Sequence, residues 1–109
     1  MTLASAWIVC ASAQEAERIA TTLVEERLAA CCNILAPVSS IYRWEGTVER
    51  AQEVPIIAKT DMESADALIV RVKELHSYDT PAIAIWPISA IPDDYARWIE
   101  ENTGPQRLA

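Results

Sequence analysis

The chain has 109 residues, 51% of them hydrophobic and 23% charged, which is typical of one globular domain, here expected over residues 1–109. Its 9 basic and 16 acidic side chains give a net charge of −7, which argues against a nucleic-acid partner. Two glycines and one histidine are too few for a three-glycine dinucleotide-binding loop or a two-histidine zincin motif, and no apolar run approaches the roughly 20 residues that span a membrane.

The first apolar run, residues 5–11, is short and ends at a helix-capping signal, which indicates a buried strand. Ser12 and Glu15 fit a capping box, in which the Ser12 hydroxyl accepts the Glu15 amide and the Glu15 carboxylate accepts the Ser12 amide. The helix that follows should end near residues 28–30. Its predicted apolar face consists of Ala16, Ile19, Ala20 and Leu23.

Two long strands are predicted next, at residues 32–44, with an interruption at Pro37, and at residues 48–60. A turn at residues 45–46 joins them into a hairpin. Each arm of roughly thirteen residues reaches about 40 Å, whereas a domain of this size is about 30 Å across. The hairpin therefore overhangs its own core, and its apolar side chains and open edges need a cover. We expect a second copy of the chain to provide it.

The second half of the chain predicts a helix, a strand and a further helix. Residues 61–63 open the first of these helices, residues 82–88 form the strand, and the last helix runs from Pro92 to a stop at residues 104–105. The apolar stripe of the first helix consists of Ala65, Leu68, Ile69, Val72 and Leu75. The order βαββαβ plus a terminal helix predicts a ferredoxin-like α+β fold, with two helices on one face of an antiparallel sheet.

Cys10 and His76 are the first candidates for chemistry, because a strand end and a helix end can meet on the same side of such a sheet. A thiolate and an imidazole suit a soft or borderline metal ion such as copper or zinc. They also suit a Cys–His nucleophilic pair, although no glycine-rich turn offers an oxyanion hole. Without a function, Cys10 would be a small buried thiol, and His76 would be a cation that complements the negative C-terminal end of a helix.

Other side chains have two readings each. Lys59, in an otherwise apolar strand, either extends to solvent or anchors an anion. Tyr42 and Trp44 alternate onto one face and are interface aromatics or pocket walls.

Cys31 and Cys32 are adjacent, so they face opposite sides of a strand and do not indicate a shared metal site. Three cysteines without a disulfide pattern favour a reducing, cytoplasmic location.

Five segments resemble the CutA divalent-cation tolerance family, and the similarity covers residues 8–99. They are C-C-N-I-L at 31–35, S-I-Y-R-W-E-G at 40–46, residues 53–60, H-S-Y-D-T-P at 76–81 and Y-A-R-W at 95–98. The resemblance implies a small cytoplasmic protein with a ferredoxin-like fold that trimerises through its hairpins. It also implies copper binding at Cys10 and His76, and a pocket between subunits built from Tyr42, Trp44, Lys59, His76 and Tyr78.

The chain departs from the family pattern at four positions. Leu75 stands where some members have a second histidine, so the metal site is incomplete and weak binding is expected. Ser77 replaces a proline, Ala82 a glutamate and Pro37 a glycine. Without the glutamate the predicted pocket is more cationic, which favours a small anion there.

The sequence therefore predicts a homotrimeric, non-enzymatic, cytoplasmic protein of divalent-metal tolerance that binds copper or another divalent cation weakly. The alternative is a trimeric signalling or scaffold module, similar to the PII-like regulators, that binds a small anion in the pocket between subunits. Neither interpretation includes a nucleic acid or a membrane as partner.

Overall fold

The computed structural model describes residues 2–105. The elements, in chain order, are β1 (Leu3–Cys10), α1 (Ala13–Glu25), β2 (Cys31–Ile34), β3 (Val38–Trp44), β4 (Thr47–Asp61), α2 (Ala65–Leu75), β5 (Ile83–Pro87) and α3 (Asp93–Glu101), with a 3₁₀ turn at Met62–Ser64 before α2. The strands form one antiparallel sheet in the order β2-β4-β1-β5, and β3 extends it by pairing with β4. This confirms the predicted α+β, ferredoxin-like fold.

The start of α1 follows only half of the predicted capping box. The Ser12 hydroxyl accepts a hydrogen bond from the Glu15 amide at 3.1 Å. The Glu15 carboxylate does not return to Ser12, because it lies buried and accepts the Ala11 amide at 2.9 Å. The helix ends at Glu25, earlier than predicted, because Arg27 adopts φ 61 and turns the chain into β2.

The hydrophobic core lies between the sheet and the helices α1 and α2. Alternate residues of β1 and β4, such as Ile8 and Ile56, face the helices. Leu23 of α1 and Leu68 of α2 pack onto them, and all four side chains are fully buried. The predicted apolar stripes of both helices therefore face the core, with Leu75 packed at its margin and Ile69 half-buried.

The long hairpin consists of β3 and the first half of β4, paired from Val38 opposite Glu53 to Trp44 opposite Thr47. Glu45 (φ 50) and Gly46 (φ 81) form its two-residue turn, whose positive φ angles match the twist of the strands. The predicted strand over residues 32–44 is two strands separated around Pro37. The molecule measures 52 × 26 × 23 Å, because the hairpin projects from the core.

The terminal helix α3 covers part of the other side of the sheet. Ile99 is buried against Leu3 and Ala30. Tyr95 and Trp98 are exposed on the same helix and stack on each other, with ring centroids 6.1 Å apart. Within residues 2–105, no helix has the length and apolar character needed to cross a membrane.

Candidate functional site

Cys10, Glu15 and His76 form a buried cluster, here called the cation cluster. Cys10 ends β1, Glu15 lies in the first turn of α1 and His76 follows α2. One potential ligand atom from each residue lies within 4.8 Å of the other two. As predicted, the end of β1 and the end of α2 meet, and Cys10 therefore lies close to His76.

Hydrogen bonds fix the protonation of the His76 ring. Nε2 lies 2.7 Å from the Val9 carbonyl oxygen, which only accepts, so Nε2 carries the proton and donates. Nδ1 lies 3.0 Å from the Tyr78 amide, which only donates, so Nδ1 is bare and accepts. The ring is thus the neutral Nε2–H tautomer, and it holds the chain that follows α2 against the end of β1.

Glu15 holds the same two segments together through its carboxylate. One oxygen accepts the Ala11 amide at 2.9 Å and the other accepts the Ser77 amide at 3.0 Å. Burial would raise the pKa of Glu15, but these hydrogen bonds and the nearby His76 ring outweigh it, so the pKa lies below its ordinary value. Arg18, 3.7 Å away, is the nearest full positive charge.

Cys10 is the softest donor of the cation cluster. Burial, reinforced by the negative charge of Glu15, raises the pKa of the Cys10 thiol to about 12. The sulfur is therefore protonated at neutral pH, and a metal ion would have to displace that proton.

The donor set of the cation cluster fits a metal ion, but binding requires that the donors move closer together and that His76 loses a hydrogen bond. Sulfur, nitrogen and oxygen together suit copper or zinc. Around a tetrahedral ion the donors stand roughly 3.3–3.7 Å apart, as follows from bond lengths near 2.0–2.3 Å, so the cluster must contract. Binding at either nitrogen of His76 also removes the Tyr78 hydrogen bond, because a metal on Nδ1 displaces it and a metal on Nε2 leaves the ring proton on Nδ1.

A groove of about 640 Å³ lies beside the cation cluster and extends along the hairpin from Glu53 to Trp44. Three of the predicted pocket residues line it, namely Tyr42, Trp44 and Tyr78. It also contains the carboxylates of Glu49, Glu53 and Asp79, and these six residues define what is here called the aromatic groove. The Tyr78 hydroxyl donates to Glu53 at 3.0 Å; burial and this bond raise the pKa of Tyr78 to about 12.

Lys59 lies elsewhere. It neighbours Ala58, which faces the helices, so strand alternation places Lys59 on the opposite face of the sheet. There it lines a second groove of about 470 Å³ with Ser5, Trp86 and Tyr95. Within one chain, Lys59 and His76 therefore do not face a common pocket; a pocket shared between subunits stays a prediction.

The two adjacent cysteines face opposite sides of the sheet, as predicted. Cys32 packs against the core, where burial raises the pKa of its thiol to about 12. The Cys31 sulfur lies 3.7 Å from the Tyr95 hydroxyl on the other face.

Sequence reasoning missed the carboxylates of these sites. Glu15 was predicted only as part of a capping box, in which its carboxylate would accept the Ser12 amide, whereas it lies buried in the cation cluster. Glu53 immediately precedes the apolar run V-P-I-I-A and is only 7% exposed. An acid next to a buried strand run was the signal available for it.

Comparisons with known proteins agree on one family. The model of the CutA1 divalent ion tolerance protein family matches residues 4–102. The divalent-cation tolerance protein CutA of Thermus thermophilus is 45% identical over 97 residues, 89% of this chain and 94% of the relative.

Solved structures give the same result. CutA1 from Oryza sativa superposes with a TM-score of 0.93 at 32% identity, covering 95% of both chains. A structure described as the periplasmic divalent cation tolerance protein CutA from Archaeoglobus fulgidus gives 0.89 at 41% identity, covering 92% of this chain and 97% of that one. The chain belongs to the CutA1 divalent ion tolerance protein family.

Proposed function

We propose that the protein is a cytoplasmic homotrimer of divalent-cation tolerance that binds copper or a similar ion at the cation cluster and catalyses no reaction. The observation that carries the proposal is the convergence of Cys10, Glu15 and His76 within 4.8 Å. A buried thiol, carboxylate and imidazole together are the donors that borderline metal ions prefer.

Weak binding is part of this proposal. Only three protein donors are present, whereas closed structural zinc sites use four. The ion must also displace the Cys10 proton and disrupt the hydrogen bonding of His76. Such a site responds to excess metal and does not retain a permanent cofactor.

The absence of catalysis is inferred from the thiol. A nucleophilic cysteine acts as the thiolate, and its pKa is usually lowered by a positive neighbour. Burial and Glu15 have the opposite effect on Cys10, whose pKa is about 12. This environment supports a metal donor that is deprotonated by the ion itself, and argues against a Cys–His nucleophile.

Anaerobic calorimetric titration with Cu²⁺ and Zn²⁺ tests the metal site. We expect Cys10→Ser and His76→Ala each to remove most of the binding heat, whereas the matched control Cys31→Ser retains it. Binding should release protons, measured by repeating the titration in buffers of different ionisation enthalpy, and should strengthen as pH rises. Unchanged affinity in the Cys10→Ser/His76→Ala double variant would place the metal elsewhere, at Cys31, Cys32 or the acidic surface.

The homotrimer is inferred from the hairpin. Ile41 and Val48 are each 59% exposed and Trp44 is 49% exposed, all on strands that project from the core. An apolar projection of this kind is stabilised when another copy covers it.

A second candidate function is a PII-like module that binds a small anion, and the surroundings of Lys59 favour it. Within residues 2–105, Lys59 has no carboxylate partner within 4.0 Å, and its groove offers the hydroxyls of Ser5 and Tyr95. A carboxylate or phosphate group would supply the missing counter-charge. Citrate or phosphate should then raise the melting temperature, and Lys59→Met should abolish that rise.

A further inference from the structure

Arg18 lies beside the cation cluster without being one of its donors. It follows Glu15 by three residues on α1, and its Nη2 atom is 3.7 Å from the Glu15 Oε2 atom. The same nitrogen donates a hydrogen bond to the Leu75 carbonyl oxygen at 3.0 Å, directly before His76. On the basis of the metal binding proposed above, we propose that Arg18 determines the selectivity of the site, because its positive charge disfavours divalent ions relative to monovalent ones.

Two negative groups hold the Arg18 charge in this place. One is the Glu15 carboxylate, and the other is the C-terminal end of α2, where the last carbonyl groups carry the negative end of the helix dipole. Leu75 is the last residue of α2, and it is this residue that Arg18 contacts. All of these contacts lie within one chain, so they are present whether or not another copy covers the hairpin.

The two carboxylate oxygens of Glu15 have different neighbours. Oε1 lies 3.5 Å from the His76 Nε2 atom, whereas Oε2 lies 3.7 Å from the Arg18 Nη2 atom. Metal–oxygen bonds are about 2.0–2.2 Å long, so an ion bound to Oε1 would stand within roughly 8 Å of the guanidinium group. Arg18 therefore acts on the ion through its charge and leaves the inner oxygen free to bind.

The charge of the ion determines how strongly Arg18 acts on it. A divalent ion brings one more positive charge into the cation cluster than a monovalent ion does, whichever protons are released. At this distance the repulsion of one additional charge corresponds to about twofold in affinity in bulk water, and to about thirtyfold at the effective dielectric constant near a protein surface. The Arg18 side chain is 54% exposed, so solvent screens part of the repulsion, and we expect about three- to tenfold.

A purely structural role of Arg18 would have a different signature. If Arg18 only held the end of α2 in place, its loss would let His76 move and would weaken the binding of both classes of ion alike. The ratio of the two affinities would then stay the same. This ratio therefore separates an effect of charge from an effect of position.

Isothermal titration calorimetry with Zn²⁺ and Ag⁺ in chloride-free buffer tests the proposal. Ag⁺ is a soft monovalent ion that suits thiol and imidazole donors. The parent chain carries Cys31→Ser, because this partly exposed thiol would compete for Ag⁺. We expect Arg18→Met to raise the ratio of the Zn²⁺ affinity to the Ag⁺ affinity by about three- to tenfold, and Cys10→Ser to remove most of the binding of both ions.

Three further variants separate charge from other effects. Arg18→Gln is also neutral but keeps an N–H donor for the Leu75 carbonyl, and it should raise the ratio as Arg18→Met does. Arg18→Lys keeps the charge and should leave the ratio within about twofold of the parent value. Arg97→Met removes a positive charge from an exposed position on α3 and should also leave the ratio unchanged. Circular dichroism and light scattering check the fold and the assembly of each variant.

An unchanged ratio in both Arg18→Met and Arg18→Gln would overturn the proposal. An equally large rise in Arg18→Lys or Arg97→Met would overturn it as well, since the local charge of Arg18 would not be the cause. If the parent chain binds both ions and the ratio does not change, only the role of Arg18 fails. If neither the parent chain nor Arg18→Met binds either ion, or if both ions still bind to Cys10→Ser, the proposed metal site fails with it.

Discussion

At the scale of single residues, Glu15 has the largest set of contacts in the site. Its carboxylate accepts two backbone amides from different segments and lies 3.5 Å from the His76 ring. Because both amides only donate, the position requires an acceptor at each oxygen. A carboxylate meets this requirement and a carboxamide does not.

We therefore expect Glu15→Gln to be destabilised by about 1–3 kcal/mol at neutral pH, the cost of an amide group turned toward an N–H donor. The folded-state pKa of Glu15 is lowered from 4.5, so its contribution is present above about that pH and is lost as pH falls through the lower folded value. Urea unfolding at neutral and acidic pH measures both effects. The difference in unfolding free energy between the wild type and Glu15→Gln should shrink at acidic pH. The control Glu17→Gln should match the wild type at neutral pH. A difference between the wild type and Glu15→Gln that stays the same at both pH values would contradict this assignment.

At the scale of elements, α2 shows how burial is distributed within one helix. Leu68 is fully buried against the sheet, while Val70, two residues later, is 59% exposed. The helical period places them on different sides of the same element.

This contrast predicts the cost of truncating each side chain. Leu68→Ala should lower the free energy of unfolding by about 2–5 kcal/mol, because it leaves a cavity in the core. Val70→Ala should change it by less than about 0.5 kcal/mol, since it is an exposed position. Chemical denaturation of both variants compares them directly, and similar losses at the two positions would mean that an unseen partner covers the outer face of α2.

The elements were largely predictable from the sequence because their patterns are local. Hydrophobic periodicity predicts the apolar stripes of α1 and α2, and the residue types at Glu45 and Gly46 predict the turn. The order of the elements predicts that Cys10 meets His76. The break around Pro37 was predicted as an interruption, but local pattern does not reveal that it separates two strands.

The candidate sites were less predictable because they depend on tertiary contacts. Strand parity indicates that Lys59 and Ala58 face opposite sides, but it does not show that α3 and the segment after β5 build the groove around Lys59. The burial of Glu15 depends on the Ser77 amide, 62 residues away in the chain. The carboxylates of the aromatic groove converge only when the hairpin and the segment after His76 have both folded.

At the scale of the whole molecule, the hairpin dominates the shape. The longest dimension of 52 Å is twice the next, and the outer half of β4 has only β3 beside it within the described residues. A two-stranded ribbon is only marginally stable by itself in water. Its stability in this protein therefore depends on what covers it.

Trp44→Asp tests that dependence, because it places a charge in the surface that the proposed trimer would bury. We expect light scattering to give three times the chain mass of 12.1 kDa for the wild type, and a shift toward the monomer, with aggregation, for the variant. Val70→Asp, on the exposed side of α2, is the matched control and should retain the wild-type mass. A monomer mass for the wild type across dilution would contradict the trimer.

The hydrogen bond from the Tyr78 amide to His76 Nδ1 has a consequence for how the two sites would communicate. A metal ion at either ring nitrogen removes this bond, and Tyr78 also forms a wall of the aromatic groove through its bond to Glu53. A metal ion at the cation cluster would therefore loosen one wall of the groove, although no residue belongs to both places. By thermodynamic reciprocity, any contact that holds Tyr78 in its present position, including one from a neighbouring copy of the chain, would weaken metal binding by the same factor by which the metal weakens that contact.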